Sequence, residues 1–123
     1  MEKKPTVIPV LRILDEAKAK EFYVQWLGFS IDWEHRFGEN FPVYLQISKD
    51  DIVIHLTEHH GDCIPGSRIR ITITGLETYI DQLNQKDYKY YKPGVEEMEW
   101  RSLESAILDP FGNHIIFTEP LSK

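Results

Sequence analysis

The sequence predicts an α+β protein of two βαβββ modules whose strands form a curved, mixed, eight-stranded sheet. The order strand, helix and three strands occurs twice within the 123 residues, a repeat of architecture with a period of about sixty residues. Apolar and polar side chains alternate along the strands, as in half-buried sheets. A segment rich in Gly, Asp and Pro, about residues 59–66, separates the halves. We therefore expect one domain, residues 1–123, with modules at about 5–58 and 67–120.

The first module opens with an apolar, β-branched strand at residues 6–14. Pro9 cannot donate to a sheet ladder, so this strand should lie at a sheet edge or cross between subunits. Asp15 fits the N-cap of a helix whose apolar side chains recur at helical spacing, and Gly28 fits its end. Three further strands are predicted at about residues 31–37, 43–48 and 52–57.

The second module repeats this order. Alternating isoleucines predict a strand at residues 68–74, and apolar residues at i, i+3, i+4 and i+7 predict a helix that begins near Leu76. The turn before the last strand has Asp109, Pro110 and Gly112 at positions i, i+1 and i+3, which suits a type I turn. The remaining strands are predicted at about residues 95–100, 103–108 and 114–119.

The two faces of the predicted sheet differ in chemistry. One face is continuously apolar and must lie under the helices. The other face carries polar side chains, among them Gln46, His55, Arg68 and Arg70. In a strongly curved sheet this face becomes a concave cleft lined by these four residues. An open, solvated sheet face would show the same pattern.

Composition and charge exclude several classes of function. The formal net charge of −6 and the pI of about 5.3 argue against binding to nucleic acid or to an anionic membrane surface. The single cysteine, Cys63, rules out an intrachain disulfide and favours a reducing compartment. No apolar leader or membrane-length run is present, so we expect a soluble, cytoplasmic protein.

Histidine and aromatic residues are the candidates for a functional site. His55 lies in mid-strand on the polar face, and His59 and His60 follow in a loop with Glu58 and Asp62. This cluster suggests a metal site, although adjacent histidines in a hydrated loop need no metal. The aromatic candidates for stacking on a ligand are Trp33, Phe37, Tyr44 and Trp100. An aromatic side chain on an apolar face more often packs in the core, and Trp100, at a strand end among polar residues, is the one that we expect at a ligand.

Several motifs resemble the glyoxalase/bleomycin-resistance/dioxygenase (vicinal oxygen chelate) superfamily, and the resemblance covers nearly the whole chain. The first motifs are residues 10–12 leading to Asp15, and residues 22–23 followed by 27–30. The last is the Asp-Pro-x-Gly-Asn turn at 109–113. Within the superfamily, the sequence of residues 8–11 and the position of Trp100 are similar to those of the bleomycin-resistance branch.

The resemblance implies where a metal would bind. Enzymes of the superfamily hold it at four positions, which correspond here to Ile8, His55, Arg68 and Ile116. Only His55 can coordinate a metal, so the resemblance favours metal-free binding proteins, with no cofactor and no catalytic residue. The alternative is a lyase or dioxygenase that holds a divalent transition metal with His55, His59, His60 and Glu119.

The leading interpretation is therefore a non-enzymatic protein that sequesters a small molecule, as antibiotic resistance proteins of this branch do. The resemblance implies a homodimer with the cleft at its interface and an exchanged first strand. Arg68 and Arg70 would suit an anionic ligand better than cationic bleomycin unless acids such as Glu58 or Asp62 pair with them. A scaffold protein without a ligand is a further alternative. The expected ligand-binding residues are Trp33, Phe37, Tyr44, Gln46, His55, Arg68, Arg70 and Trp100.

Overall fold

The computed structural model describes residues 5–86, 88 and 91–121. Residues 1–4, on which the expectation about an apolar leader depends, lie outside the described part. Both halves have the predicted order of elements. The first module contains β1 (Val10–Arg12), α1 (Glu16–Ala19, continued by a π-helical stretch Lys20–Trp26), β2 (Ser30–His35), β3 (Tyr44–Lys49) and β4 (Ile52–Thr57). The second contains β5 (Arg68–Thr72), α2 (Leu76–Gln85), β6 (Glu96–Met98), β7 (Ser102–Leu108) and β8 (His114–Pro120).

The eight strands form two four-stranded mixed sheets, one in each module. Their orders are β1-β4-β3-β2 and β5-β8-β7-β6. In both sheets the first strand runs parallel to the last, and the other neighbours are antiparallel. The predicted α+β class and the βαβββ repeat are confirmed, with the strands hydrogen-bonded as two sheets.

Strand β1 is shorter than the predicted strand at residues 6–14, and it lies at a sheet edge as Pro9 required. Pro9 precedes the strand and only accepts a hydrogen bond, from the backbone N–H of His55 over 3.0 Å. Beyond the strand, the Ile13 N–H still donates to the Thr57 carbonyl over 2.9 Å. A proline has no backbone N–H, which limits regular pairing before Val10.

The first helix begins and ends at the predicted residues. The Asp15 carboxylate accepts a hydrogen bond from the Lys18 N–H over 2.9 Å, which is N-cap geometry. Gly28 follows the helix with φ of +91°, a conformation that glycine adopts without strain. The helix widens to π geometry before its end, where the Leu27 N–H donates to the Phe22 carbonyl.

One apolar core joins the helices to the inner faces of both sheets. The first helix contributes Phe22, Tyr23 and Trp26, and α2 contributes Leu76, Ile80 and Leu83; all are at most 3% exposed. The Trp26 indole N–H also donates to the Leu83 carbonyl over 3.0 Å, so the two helices are linked directly. Among the described residues no helix is both long and apolar enough to cross a membrane.

The predicted turn at residues 109–113 also connects the two modules. The buried Asp109 carboxylate accepts hydrogen bonds from the Tyr23 hydroxyl over 2.6 Å and from the Asn113 N–H over 2.8 Å. The Asn113 amide donates to the Arg12 carbonyl and accepts from the Ser67 N–H. We call these five residues the inter-module cluster. Because it ties the turn to β1, to the first helix and to the start of β5, it fixes one module against the other.

Candidate functional site

Five polar side chains form a hydrogen-bonded row on the face of the first sheet that lies away from the helices. The Tyr44 Oη atom lies 2.8 Å from Nδ1 of His55, whose Nε2 lies 3.0 Å from Oε1 of Gln46. Gln46 Nε2 donates to one oxygen of Asp32 over 2.9 Å, and the Ser48 hydroxyl donates to the other over 3.0 Å. We call these five residues the polar row.

Strand register places the polar row. Gln46 of β3 lies directly opposite His55 of β4, with both side chains on the same face. In β2 the pairing shifts between Ile31 and Trp33, which is a β-bulge. The bulge leaves Asp32 and Trp33 on the same face, whereas a regular strand would turn them to opposite faces. The carboxylate of Asp32 therefore reaches Gln46 while the indole of Trp33 lies beside His55.

Hydrogen bonding along the polar row has one direction because the row ends on a carboxylate. Asp32 can only accept, which turns the amide nitrogen of Gln46 toward it and the amide oxygen toward His55. That oxygen needs the proton on Nε2 of His55, so Nδ1 accepts from the Tyr44 hydroxyl. The Tyr44 hydroxyl thus donates its hydrogen bond to His55, and the lone pairs of its oxygen can accept a hydrogen bond from a ligand.

Burial favours the neutral forms that this arrangement needs. It lowers the pKa of His55 because a low-dielectric environment disfavours the imidazolium. Burial, followed by the charge of the nearby Asp62, raises the pKa of Tyr44, so that the hydroxyl keeps its proton. With neutral His55 and neutral Tyr44, every hydrogen bond in the polar row has one donor and one acceptor.

An aromatic cavity of about 360 Å³ lies beside the polar row. Trp33 and Phe37 are unusually open for large aromatic side chains, at 43% and 75% exposed. The Trp33 and Tyr44 rings are nearly parallel, with centroids 6.0 Å apart, and the Phe37 ring meets His35 and His59 edge to face. The residues that line the cavity are Trp33, His35, Phe37, Tyr44, His59 and Asp62.

A second group of predicted residues lies on the corresponding face of the second sheet. Arg70 forms an ion pair with the buried carboxylate of Glu104, which also accepts from the Trp100 indole N–H over 3.3 Å. The hydrogen bond from Arg70 is the main cause that lowers the pKa of Glu104. The acid partner of Arg70 is thus Glu104, and not Glu58 or Asp62 as considered from the sequence.

Arg68, unlike Arg70, has no acidic partner among the described residues. It is exposed, and its guanidinium has no hydrogen bond or ion pair within the described part of the chain. Strand pairing places it opposite His114, also on the face away from α2. Glu58 and Asp62 are engaged elsewhere, since Glu58 accepts from the Val43 N–H and Asp62 accepts from the Thr57 hydroxyl.

The structure thus brings the predicted ligand-binding residues together in two groups. The first group surrounds the polar row and the aromatic cavity, and consists of Trp33, Phe37, Tyr44, Gln46 and His55. The second group consists of Arg68 and Arg70 on the other sheet and Trp100 in the turn between its strands β6 and β7. Among the residues that the structure describes, no hydrogen bond, ion pair or ring contact links the two groups within one chain.

The side chains at the superfamily's metal positions do not fit a metal ion. Ile8 and Ile116 have no donor atom, and Arg68 carries a positive charge. Both ring nitrogens of His55 are already hydrogen-bonded, so coordination would break the polar row. In the described part of the chain, no group of three or more His, Cys, Asp or Glu side chains is placed to hold a metal.

The alternative metal ligands are also dispersed. The Glu119 carboxylate accepts from the N–H groups of Gly75 and Leu76 at the start of α2, and this lowers its pKa. His59 lines the aromatic cavity, and its Nε2 is buried without a hydrogen-bond partner among the described residues. His60 is exposed in the loop that follows β4.

Four polar residues of these surfaces were not predicted as site residues, and Ser48 at the end of the polar row is one of them. Asp32 and His35 lie in β2, where the bulge cannot be inferred from alternation. Glu104 alternates with Leu103 and Ser105 along β7, and it lies opposite Thr118 of β8 on the polar face. Its position next to Arg70 in the folded chain depends on the non-sequential strand order. An acid in mid-strand was the only signal in the sequence.

Comparison with known proteins identifies the fold family. A family model described as "Glyoxalase superfamily protein" matches residues 3–122 of the chain. No curated protein matches the sequence significantly.

Solved structures of a bleomycin resistance determinant and of two antibiotic-binding proteins have the same fold. A bleomycin resistance determinant encoded on transposon Tn5 is similar with a TM-score of 0.75 and 18% identity, over 95% of this chain and 98% of that one. The bleomycin-binding protein of Streptomyces verticillus, complexed with copper(II)-bleomycin, gives 0.69 and 24% over the whole of both chains. The antibiotic binding protein TnmS3 of Streptomyces sp. CB03234 gives 0.70 and 22%, over 98% of each chain. At these identities the likeness shows a shared fold.

Proposed function

This chain belongs to the glyoxalase superfamily, and from that premise we propose that it is a non-enzymatic, small-molecule binding protein of the bleomycin-resistance type. It would act in the cytoplasm and sequester its ligand without changing it. The proposal needs no cofactor, because the side chains at the superfamily's metal positions are unsuited to coordination.

The aromatic cavity is the observation that supports this function. Trp33 and Phe37 expose large apolar surfaces, and such surfaces favour contact with a ligand or partner. The polar row beside them supplies a fixed set of hydrogen-bonding groups, whose direction is set by Asp32. An apolar cavity with a few oriented polar groups is typical of small-molecule sites.

We further propose that two copies of the chain form the complete cleft. Each chain presents one group of candidate residues on each sheet, and the groups do not touch within the chain. Trp100 is 62% exposed in the turn between β6 and β7, and Val7 is 91% exposed before β1. A twofold symmetric pair would place the first sheet of one protomer against the second sheet of the other and would cover these side chains.

Ligand binding is tested with bleomycin and with copper(II)-bleomycin, since proteins of this fold bind these compounds. We expect saturable, stoichiometric binding, followed by recovery of unchanged compound. Phe37→Ala should weaken binding at least about fivefold, because it removes a ring from the cavity wall. Phe41→Ala is the matched control, since Phe41 is 53% exposed but does not line this cavity.

The same preparation separates the proposal from the enzymatic alternative. Tag-free protein purified without chelator should contain far less than one equivalent of transition metal and should take up none on addition. About one equivalent of metal, released by His55→Ala, would contradict the proposal. Recovery of a chemically altered compound would contradict it as well.

A further inference from the structure

The walls and the polar atoms of the aromatic cavity indicate which ligand chemistry it accepts. Five of its six lining residues are aromatic rings or imidazoles, and the sixth is Asp62. The face of an aromatic ring carries partial negative charge, so several rings around one cavity favour a positive group. The cavity therefore differs from the surface around Arg68 and Arg70 on the second sheet.

Two oxygen acceptors lie in its wall, those of Tyr44 and Asp62, beside the ring N–H groups of Trp33, His35 and His59. The Tyr44 hydroxyl donates its hydrogen bond to His55, so its oxygen presents lone pairs to the cavity. One oxygen of Asp62 accepts from the Thr57 hydroxyl over 2.7 Å, and the other oxygen accepts no hydrogen bond within the described part of the chain. Tyr44 and Asp62 line the same cavity, so both acceptors are within its wall.

We propose that the aromatic cavity binds an organic ammonium group, which donates hydrogen bonds to Tyr44 and Asp62 while its carbon atoms contact Trp33 and Phe37. The inference rests on the proposed binding function and names the ligand class for that site. A primary or secondary ammonium satisfies two acceptors at once, whereas a carboxylate would be repelled by the charge of Asp62.

The other charged groups nearby are consistent with this assignment. Arg36, between His35 and Phe37 in the sequence, forms an ion pair with Glu16 and donates to the Phe41 carbonyl over 3.0 Å, so its charge is compensated. The Arg12 guanidinium donates toward the His60 carbonyl, and neither arginine lines the cavity. His35 and His59 do line the cavity, and protonation of either would repel a cation.

Three small probes of similar shape test the charge of the ligand: 2-phenylethylammonium, 2-phenylethanol and phenylacetate. Each is titrated at pH 7.5 into the ¹⁵N-labelled full chain, and the indole N–H signals report the position of binding. The chain has three tryptophans, of which Trp33 lines the cavity and Trp100 lies in the turn between β6 and β7. We expect 2-phenylethylammonium to shift the Trp33 signal and to bind about tenfold more tightly than 2-phenylethanol.

Two substitutions to asparagine provide the matched comparison. Asp62→Asn removes the charge from the cavity but keeps an oxygen for Thr57, and it should lower the affinity for the ammonium about five- to tenfold. Asp50→Asn changes the net charge equally in the turn after β3, where φ is +53°, a conformation that asparagine tolerates. It should leave the affinity unchanged within about twofold, since exposed charges at a distance are screened.

Each contrary result is informative. Equal or tighter binding of the alcohol or of phenylacetate at Trp33 would overturn the ammonium assignment and leave the binding function intact. An ammonium that shifts only Trp100, or that does not bind, would also overturn the assignment. The binding function itself is decided separately, by the titrations with bleomycin and by the recovery of unchanged compound.

Discussion

His55 occupies the centre of the polar row, and its neighbours determine its protonation state. Gln46 requires a proton on Nε2, and Tyr44 requires a lone pair on Nδ1. The imidazole therefore stays neutral, which agrees with the effect of burial on its pKa. A single imidazole thus decides which polar atoms of Tyr44 face a ligand.

The first prediction concerns the pH dependence of stability. The pKa of His55 is lower in the folded chain than its ordinary value of 6.5, so between these two values the unfolded chain binds more protons. The contribution of neutral His55 is present above pH 6.5 and is lost as the pH falls toward the lower folded value. We expect His55→Gln to lose less stability than the wild type between about pH 7 and pH 5, as measured by urea unfolding.

His60→Gln is the control for this measurement, because His60 is exposed and its imidazole makes no hydrogen bond in the described part of the chain. Its pH profile should follow the wild type. The carboxylates with lowered pKa, Glu16, Glu104 and Glu119, lose their contributions only at lower pH. An unchanged pH profile for His55→Gln would show that another group dominates in this window.

The residues of the candidate site could be predicted only in part. Side-chain alternation placed Tyr44, Gln46 and His55 on one face, and they form one hydrogen-bonded group. Asp32 was missed because the bulge in β2 breaks the alternation. Glu104 was missed because the partner of Arg70 depends on the order of strands, which propensity and spacing do not determine.

At the scale of elements, the Asp109 turn has a structural role that exceeds that of a hairpin connection. Its carboxylate accepts from Tyr23, from the Phe111 and Asn113 N–H groups and from the Asn113 amide. Burial of such a charge is tolerable only when hydrogen bonds compensate for the lost hydration. Burial, followed by the charge of Asp109, also raises the pKa of Tyr23 well above its usual range, so that the phenol remains a donor.

The second prediction follows from this arrangement. Tyr23→Phe removes one donor from a buried carboxylate and should lower the free energy of unfolding by about 1.5–3 kcal/mol. Tyr91→Phe is the matched control, since it removes a more exposed hydrogen bond to the neutral Ala106 carbonyl and should cost about 1 kcal/mol or less. Urea unfolding measures both. Equal losses in the two variants would contradict a special role for the Asp109 carboxylate.

Most elements were predictable because their signals are local. The cap at Asp15, the stop at Gly28 and the helical spacing from Leu76 all correspond to observed boundaries. The widening of the first helix to π geometry was not predicted, because it arises where Phe22 and Trp26 pack with the core. Division of the strands into two sheets, one in each module, likewise depends on which strand edges pair rather than on the sequence of any one strand.

At the scale of the whole molecule, the two groups of candidate residues could form a cleft within one chain or between two protomers. The third prediction is that two protomers share each site. Sedimentation should give twice the 14.5 kDa mass of the chain. A homodimer of Trp33→Ala chains and a homodimer of Trp100→Ala chains should each bind ligand more weakly than the wild type. Each substitution removes an aromatic surface from one half of every cleft.

Mixing the two variants distinguishes a shared cleft from one built by a single chain. If the halves come from different protomers, half of the mixed dimers are heterodimers and each has one intact site, so about a quarter of all sites recover. If each cleft lies within one chain, mixing restores no site. The recovered fraction is measured by titration with the bleomycin probe that binds the wild type.

The inter-module cluster should also hold the two modules together when the backbone between them is cut. Tyr23 and Arg12 belong to the first module, whereas Asp109 and Asn113 belong to the second, and their hydrogen bonds do not depend on the covalent connection between them. Ile64 is 78% exposed in that connection. A chain cut after Ile64 should therefore reassemble from two separately expressed fragments, and each fragment could be fused to half of a reporter enzyme as a complementation pair.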